Sequence, residues 1–158
     1  MDRSQVIILL SLLLICACQA KVEKAPVRIY DMNDDNNRPI LEELDKSHVQ
    51  LLLAKEEEGF VELTIEKWQD LHAEFSKYLS EAELDMDSLN IFHRIYFDEE
   101  GRIEDFFYRH YDDMSSQDVE AYESCIKKFS KEFQFKTGIN TPAVQCGKGL
   151  LYLNEEVI

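Results

Sequence analysis

The chain has 158 residues and a formal net charge of −15, from 32 Asp and Glu against 17 Lys and Arg. That balance excludes a surface that binds nucleic acid by releasing counterions from phosphate, because no Lys/Arg cluster is present to supply it; anionic lipid headgroups are repelled for the same reason. The length beyond an N-terminal apolar run suits one domain that buries roughly two-thirds of its unfolded surface, so no metal or disulfide lattice is required.

Residues 1–24 read MDRSQVIILLSLLLICACQAKVEK. The apolar run from Val6 to Cys18 is shorter than the about 20 residues a spanning helix needs, and it ends in small residues, which predicts a signal peptide. Ile15-Cys16-Ala17-Cys18 resembles the lipobox of bacterial lipoproteins. The resemblance implies that Cys18 becomes a lipidated N-terminus, and several acyl chains hold a protein firmly on a membrane. An ordinary cut after Ala20 is the other reading. Removing residues 1–17 takes away only Asp2 and Arg3, so the charge stays at −15. The expectation is an exported protein of the bacterial cell envelope, periplasmic or membrane-anchored, touching membrane only through its anchor. Its parts are a signal peptide over 1–18, a tether with an Asn/Asp-rich loop over 19–39, and a single α+β domain over 40–158.

VRIYDMNDDNNRP is a short apolar segment running into a loop, where Asn and Asp bond their own backbone. Asp31, Asn33, Asp35 and Glu42 fall at positions 1, 3, 5 and 12 of a calcium loop, but Asn36 replaces the turn glycine and Arg38 the apolar position, which speaks against that reading. Pro39 suits the first turn of a helix over PILEELDKS. Next, HVQLLLAKEEEGFVELT places apolar segments on either side of EEEG and reads as a hairpin. IEKWQDLHAEFSKYLS reads as a helix, with Thr64 as N-cap and Ile65, Trp68, Leu71, His72, Phe75, Tyr78 and Leu79 on one stripe. His72 on that stripe reads as a packed histidine rather than a ligand.

The same order returns in LNIFHRIYF-DEEG-RIEDFFYRHY, strand, turn and strand. Asp at the start of a type I turn and Gly at its end predict a hairpin with solvated acids, not a metal site. The turn sets Asp98 opposite Arg102, Phe97 opposite Ile103, Ile95 opposite Asp105 and His93 opposite Phe107, with His93 and His110 on opposite faces. SSQDVEAYESCIKKFSKEF follows as a helix that Ser115 or Ser116 caps, and AVQCGKGLLYLN as a last strand. Gly59 and Gly101, 42 positions apart in matching contexts, suggest two hairpin-helix units.

Cys125 and Cys146 are an even pair beyond the N-terminal cysteines, and in an oxidising compartment they predict a disulfide between the last helix and last strand. It would close a loop worth roughly 3 kcal/mol. No nucleophile elbow, phosphate-cradling loop or zinc helix occurs, so no catalytic residue, cofactor or metal ligand is assigned.

The segments FHRIYFDEEGRIEDFFYRHY, SCIKKFSKEFQFK and NTPAVQCGKGLLYLN, within residues 89–154, resemble in order the C-terminal domain of TonB-type energy transducers. Thr137 stands where that family usually has proline. The resemblance implies a small antiparallel sheet with flanking helices that binds a peptide by strand addition at a sheet edge, a mode that needs an open edge more than particular side chains. The reading is therefore an α+β fold, a small antiparallel sheet with two amphipathic helices packed on it. Its function is non-enzymatic binding of a protein or peptide, with Val144, Leu150, Leu151 and Tyr152 as the candidate edge. The competing class is an acidic inhibitor or immunity-type protein that neutralises a basic enzyme; strong salt dependence of capture distinguishes it.

Overall fold

Asp98 to Gly101 closes the hairpin that anchors the fold. In the computed structural model, which describes residues 25–54, 59–82, 84, 86–138 and 140–153, the Gly101 amide donates to the Asp98 carbonyl at 3.0 Å, and the Asp98 carboxylate accepts from the amides of Glu100 and Arg102. Arg102 adds ion pairs to Asp98 and Glu100. Asp98 is thus engaged in closing the turn, as its sequence position predicts, and Glu100 pairs with Arg102. Burial of Asp98 disfavours its charge, yet the bonds from Arg102 outweigh it and hold the carboxyl below its usual value. Gly101 has φ +77°, and a Cβ there would lie 2.0 Å from the Phe135 carbonyl oxygen, so glycine is required twice over.

The hairpin joins β3 (Ser88–Phe97) and β4 (Ile103–His110). Phe97 faces Ile103, but Tyr96 faces Asp105, which makes Glu104 the extra residue of a bulge. The bulge overturns the expected register below that point: Ile95 lies opposite Phe106, not Asp105, and His93 opposite Tyr108, not Phe107. A one-residue slip moves every following side chain to the other face. His110, opposite Ile91, therefore shares a face with His93 instead of opposing it, although its ring bonds the Asp112 carbonyl.

Around this hairpin the sheet runs in the order β1-β4-β3-β5-β2. β5 (Ala143–Tyr152) pairs antiparallel with β3 over its whole length. β1 (Arg28–Asp31) pairs parallel with β4, and β2 (Val49–Gln50) pairs parallel with Ala143 and Val144. The fold class is α+β as expected, but the sheet is mixed. The segment from β3 to β5 is antiparallel throughout; the parallel edges come from residues N-terminal to it. β1 also moves the start of the domain back into the stretch expected to be a tether.

Of the four α-helices among the described residues, α1 (Arg38–Ser47) lies on one face of the sheet; α2 (Leu51–Ala54) leads from β2, and α3 (Phe60–Ser80) and α4 (Ser116–Glu132) cover the other face. Helical spacing explains α3. Phe60, Thr64, Trp68, Leu71, Phe75 and Leu79 form the buried stripe. The helix begins five residues before the expected start, so Thr64 is internal and its hydroxyl donates to the Phe60 carbonyl at 2.9 Å. The expected first hairpin is absent: what was read as its strands is β2, α2 and the first turns of α3, because Leu51 and Phe60 reach the core only that way. Lys55 to Glu58 lie outside the described residues. Two hairpin-helix units are therefore not the plan of the chain. α4 begins at a capping box, the Ser115 hydroxyl accepting from the Asp118 amide and the Asp118 carboxylate accepting from the Ser115 amide. Its Tyr122, Ile126 and Phe129 are buried in the same core; Tyr122 and Phe129 meet Phe75, which also meets Phe106, and each such side chain is worth about 1.5–3 kcal/mol.

The opposite face is only partly covered. Leu41 and Leu44 of α1 pack on Tyr96, Phe107 and Val144, while no residue of α1 is itself fully buried. An ionic clamp holds it: Asp45 accepts from the Tyr96 hydroxyl and from Arg94, each at 2.5 Å.

Candidate binding edge, sheet faces and buried polar chain

β5 alternates between the two faces, and the alternation decides what each candidate residue can do. Ala143, Leu151 and Leu153 belong to the core under α3 and α4, whereas Val144 belongs to the α1 side. Leu150 is 52% exposed and Leu151 3%. Val144 is buried and sits opposite Gln50 of β2, so it is not on an open edge. Tyr152 ends the strand opposite Ser88.

The backbone alternates as well. The Pro142 carbonyl accepts from Val49 on the outer side, and the Leu153 amide donates to the Asp87 carbonyl on the inner side. Even-numbered residues of β5 thus turn N–H and C=O outward, and odd-numbered ones turn theirs to β3. β2 ends at Gln50, and from Gln145 onward no described strand pairs with the outer side of β5. Among the described residues, the outward groups of Cys146, Lys148 and Leu150 have no strand partner. One is capped by a neighbour: the Gln145 side-chain amide donates to the Cys146 carbonyl at 3.0 Å, while its own buried oxygen has no partner among the described residues.

Gly147 and Gly149 lie beneath α3. A Cβ at Gly147 would come within 2.6 Å of the Trp68 indole nitrogen, so the absence of a side chain lets the helix approach the strand. Val61 and Ile65 continue the Trp68 and His72 stripe towards the start of α3, and both remain partly exposed.

A chain of polar side chains crosses the core on this face. His72 Nε2 lies 3.1 Å from His93 Nδ1, and His93 Nε2 lies 2.5 Å from the Tyr122 hydroxyl. Burial pushes the His72 pKa down to about 4 and holds His93 well below its ordinary value, with His72 adding to the effect; burial pushes Tyr122 up. All three groups are neutral near pH 7, and a neutral imidazole carries one proton. If Tyr122 donates to His93, His93 donates to His72; the reverse order is the other consistent one. The chain joins β3 to both covering helices, and sequence spacing could not find it, because the three residues come from three separate elements, α3, β3 and α4.

Cys125 and Cys146 are both free thiols. The expected disulfide fails for a topological reason: Cys125 is in the core under α3, where its Sγ contacts the Tyr78 carbonyl at 3.5 Å, while Cys146 alternates to the α1 side with Val144. The sheet stands between them. Burial raises the Cys125 pKa, which makes this thiol a poor nucleophile. Cys18, the lipidation candidate, and the signal peptide lie outside the described residues.

In the Asn/Asp loop, Asp31 and Asp34 accept from the amides of Asn33 and Asn36 two residues on, and Glu42 pairs with Arg38. Among the described residues no group of three His, Cys, Asp or Glu side chains is placed to hold a metal, and no helix is long and apolar enough to cross a membrane. On the α1 side a cavity of about 240 Å³ is floored by Met32, Leu41 and Phe107, with Arg109 at its rim. No family model, curated protein or solved structure matches the chain.

Proposed function

We propose that the protein is an exported, membrane-anchored binding module without enzymatic activity, which takes an extended segment of a partner protein or peptide onto the outer edge of β5. The open run of Cys146, Lys148 and Leu150 beyond the two-residue β2 carries this reading. A strand laid there gains main-chain hydrogen bonds for its affinity, and alternate side chains read its sequence. The antiparallel order β4-β3-β5, with α4 crossing between β4 and β5, supports the resemblance to TonB-type C-terminal domains.

Panning a library of displayed peptides against the protein, at low and at moderate salt, tests it. The expected hits bind at both salt concentrations and are lost in Leu150→Pro, which removes an outward amide. Capture that survives this substitution and collapses with salt would instead favour the acidic inhibitor.

A further inference from the structure

The part of the α1-side face that α1 leaves uncovered carries a cross-strand row of three residues. Phe92 of β3 lies opposite Arg109 of β4 on one side and Lys148 of β5 on the other. With strands about 4.8 Å apart, the two cations flank the ring with their Cα atoms roughly 10 Å from each other. Phe92 is half-buried, and Tyr111 beside it is 46% exposed.

The charges of this row are out of keeping with the molecule. In a chain of net charge −15 most described Lys and Arg side chains have a carboxylate within 4 Å, as Arg94 has Asp45 and Arg28 has Asp105. Arg109 and Lys148 have none among the described residues. Arg109 makes one long contact, 3.4 Å to the Met32 carbonyl, and the Lys148 ammonium sits 4.7 Å from the centroid of the Tyr111 ring. The other cations without a carboxylate among the described residues, Lys128, Lys131 and Lys136, stand on α4 and its exit.

We propose that this row docks an acidic segment of a partner protein, one carboxylate on Arg109, one on Lys148, and an apolar group over Phe92. The surface differs from the β5 edge and does not depend on strand addition. Two cations are too few to hold a nucleic-acid backbone against the rest of the charge, and a lipid headgroup layer is repelled by it. A short acidic segment escapes the field of the more distant acids, which at physiological ionic strength is screened over about 8 Å. Asp34 and Asp35 line the same cavity as Arg109, so the incoming carboxylate takes Arg109 from the Phe92 side.

The probe is the blocked tetrapeptide Ac-Glu-Pro-Pro-Glu-NH2, whose terminal side chains share one side of a polyproline II helix about 9 Å apart. Its prolines cannot pair with a sheet edge, so it reports on the face alone. Titration followed by backbone and side-chain NMR should shift Phe92, Arg109 and Lys148, with affinity about fivefold or more above that for Ac-Gln-Pro-Pro-Gln-NH2. Arg109→Gln with Lys148→Gln should remove that preference and leave the melting temperature unchanged. Equal affinity for the two peptides, shifts confined to other residues, or the same shifts from inorganic phosphate at equal concentration would overturn the proposal. None of these outcomes touches the edge reading, which fails or stands on protection of the β5 amides.

Discussion

His93 Nε2 lies 2.5 Å from the Tyr122 hydroxyl inside the core, and the other ring nitrogen of His93 meets His72. Both imidazoles are neutral in the folded protein, whereas an unfolded histidine titrates near 6.5. A depressed folded pKa means the unfolded chain binds more protons below pH 6.5. The stability these groups contribute is therefore complete above that pH and is lost as pH falls towards 4. With His72 at about 4, its share of the loss at pH 5 is on the order of 2 kcal/mol. Urea midpoints should drop between pH 7 and pH 5, and His72→Gln should flatten that slope. The Asp98 carboxyl, held below its usual 3.8, gives up its contribution only at lower pH and does not blur the window.

Gly101→Ala should destabilise the protein by more than about 2 kcal/mol, since it combines positive φ with a clash against the Phe135 backbone that no side-chain rotation relieves. Gly147→Ala meets a side chain instead, the Trp68 indole, which can give way. The expected result is a smaller loss and a change in the fluorescence of this sole tryptophan.

Thiol labelling under native conditions should modify Cys146 well before Cys125, which is buried with a raised pKa. A non-reducing digest should show no Cys125–Cys146 linkage. Finding that linkage would mean that one of the two thiols lies on the wrong side of the sheet.

The hairpin and the later helix were legible because their signals are local: D-x-x-G with its acids, Ser115 with Asp118, and an apolar stripe at helical spacing. The bulge at Glu104 was not, since an extra residue in a strand leaves no mark when both neighbours can be buried, as Asp105 and Phe106 both are. That one residue misplaced the β4 partners of Ile95 and His93 and put His110 on the wrong face. The first hairpin was misread because EEEG beside apolar runs looks the same before a strand or a helix; burial of Leu51 and Phe60 decided for the helix. Which residues of β5 face outward needed the neighbours Pro142 and Leu153. Val144 and Leu151 are in the core, and only Leu150 of the apolar candidates with described side chains is at the surface.

Proline substitutions separate the two sides of β5. Leu151 turns its amide to β3 and its side chain into the core, so Leu151→Pro should unfold the protein. Leu150→Pro should keep the melting temperature within a few degrees, because its amide is outward and its side chain exposed.

Hydrogen exchange of the β5 amides, with and without a peptide selected from the displayed library, tests the binding edge most directly. Without peptide, Cys146, Lys148 and Leu150 should exchange fast and Gly147 and Gly149 slowly; saturating peptide should protect the three even-numbered amides and leave the odd-numbered ones as they were. Bound peptide with no added protection at Cys146, Lys148 and Leu150 would contradict the account.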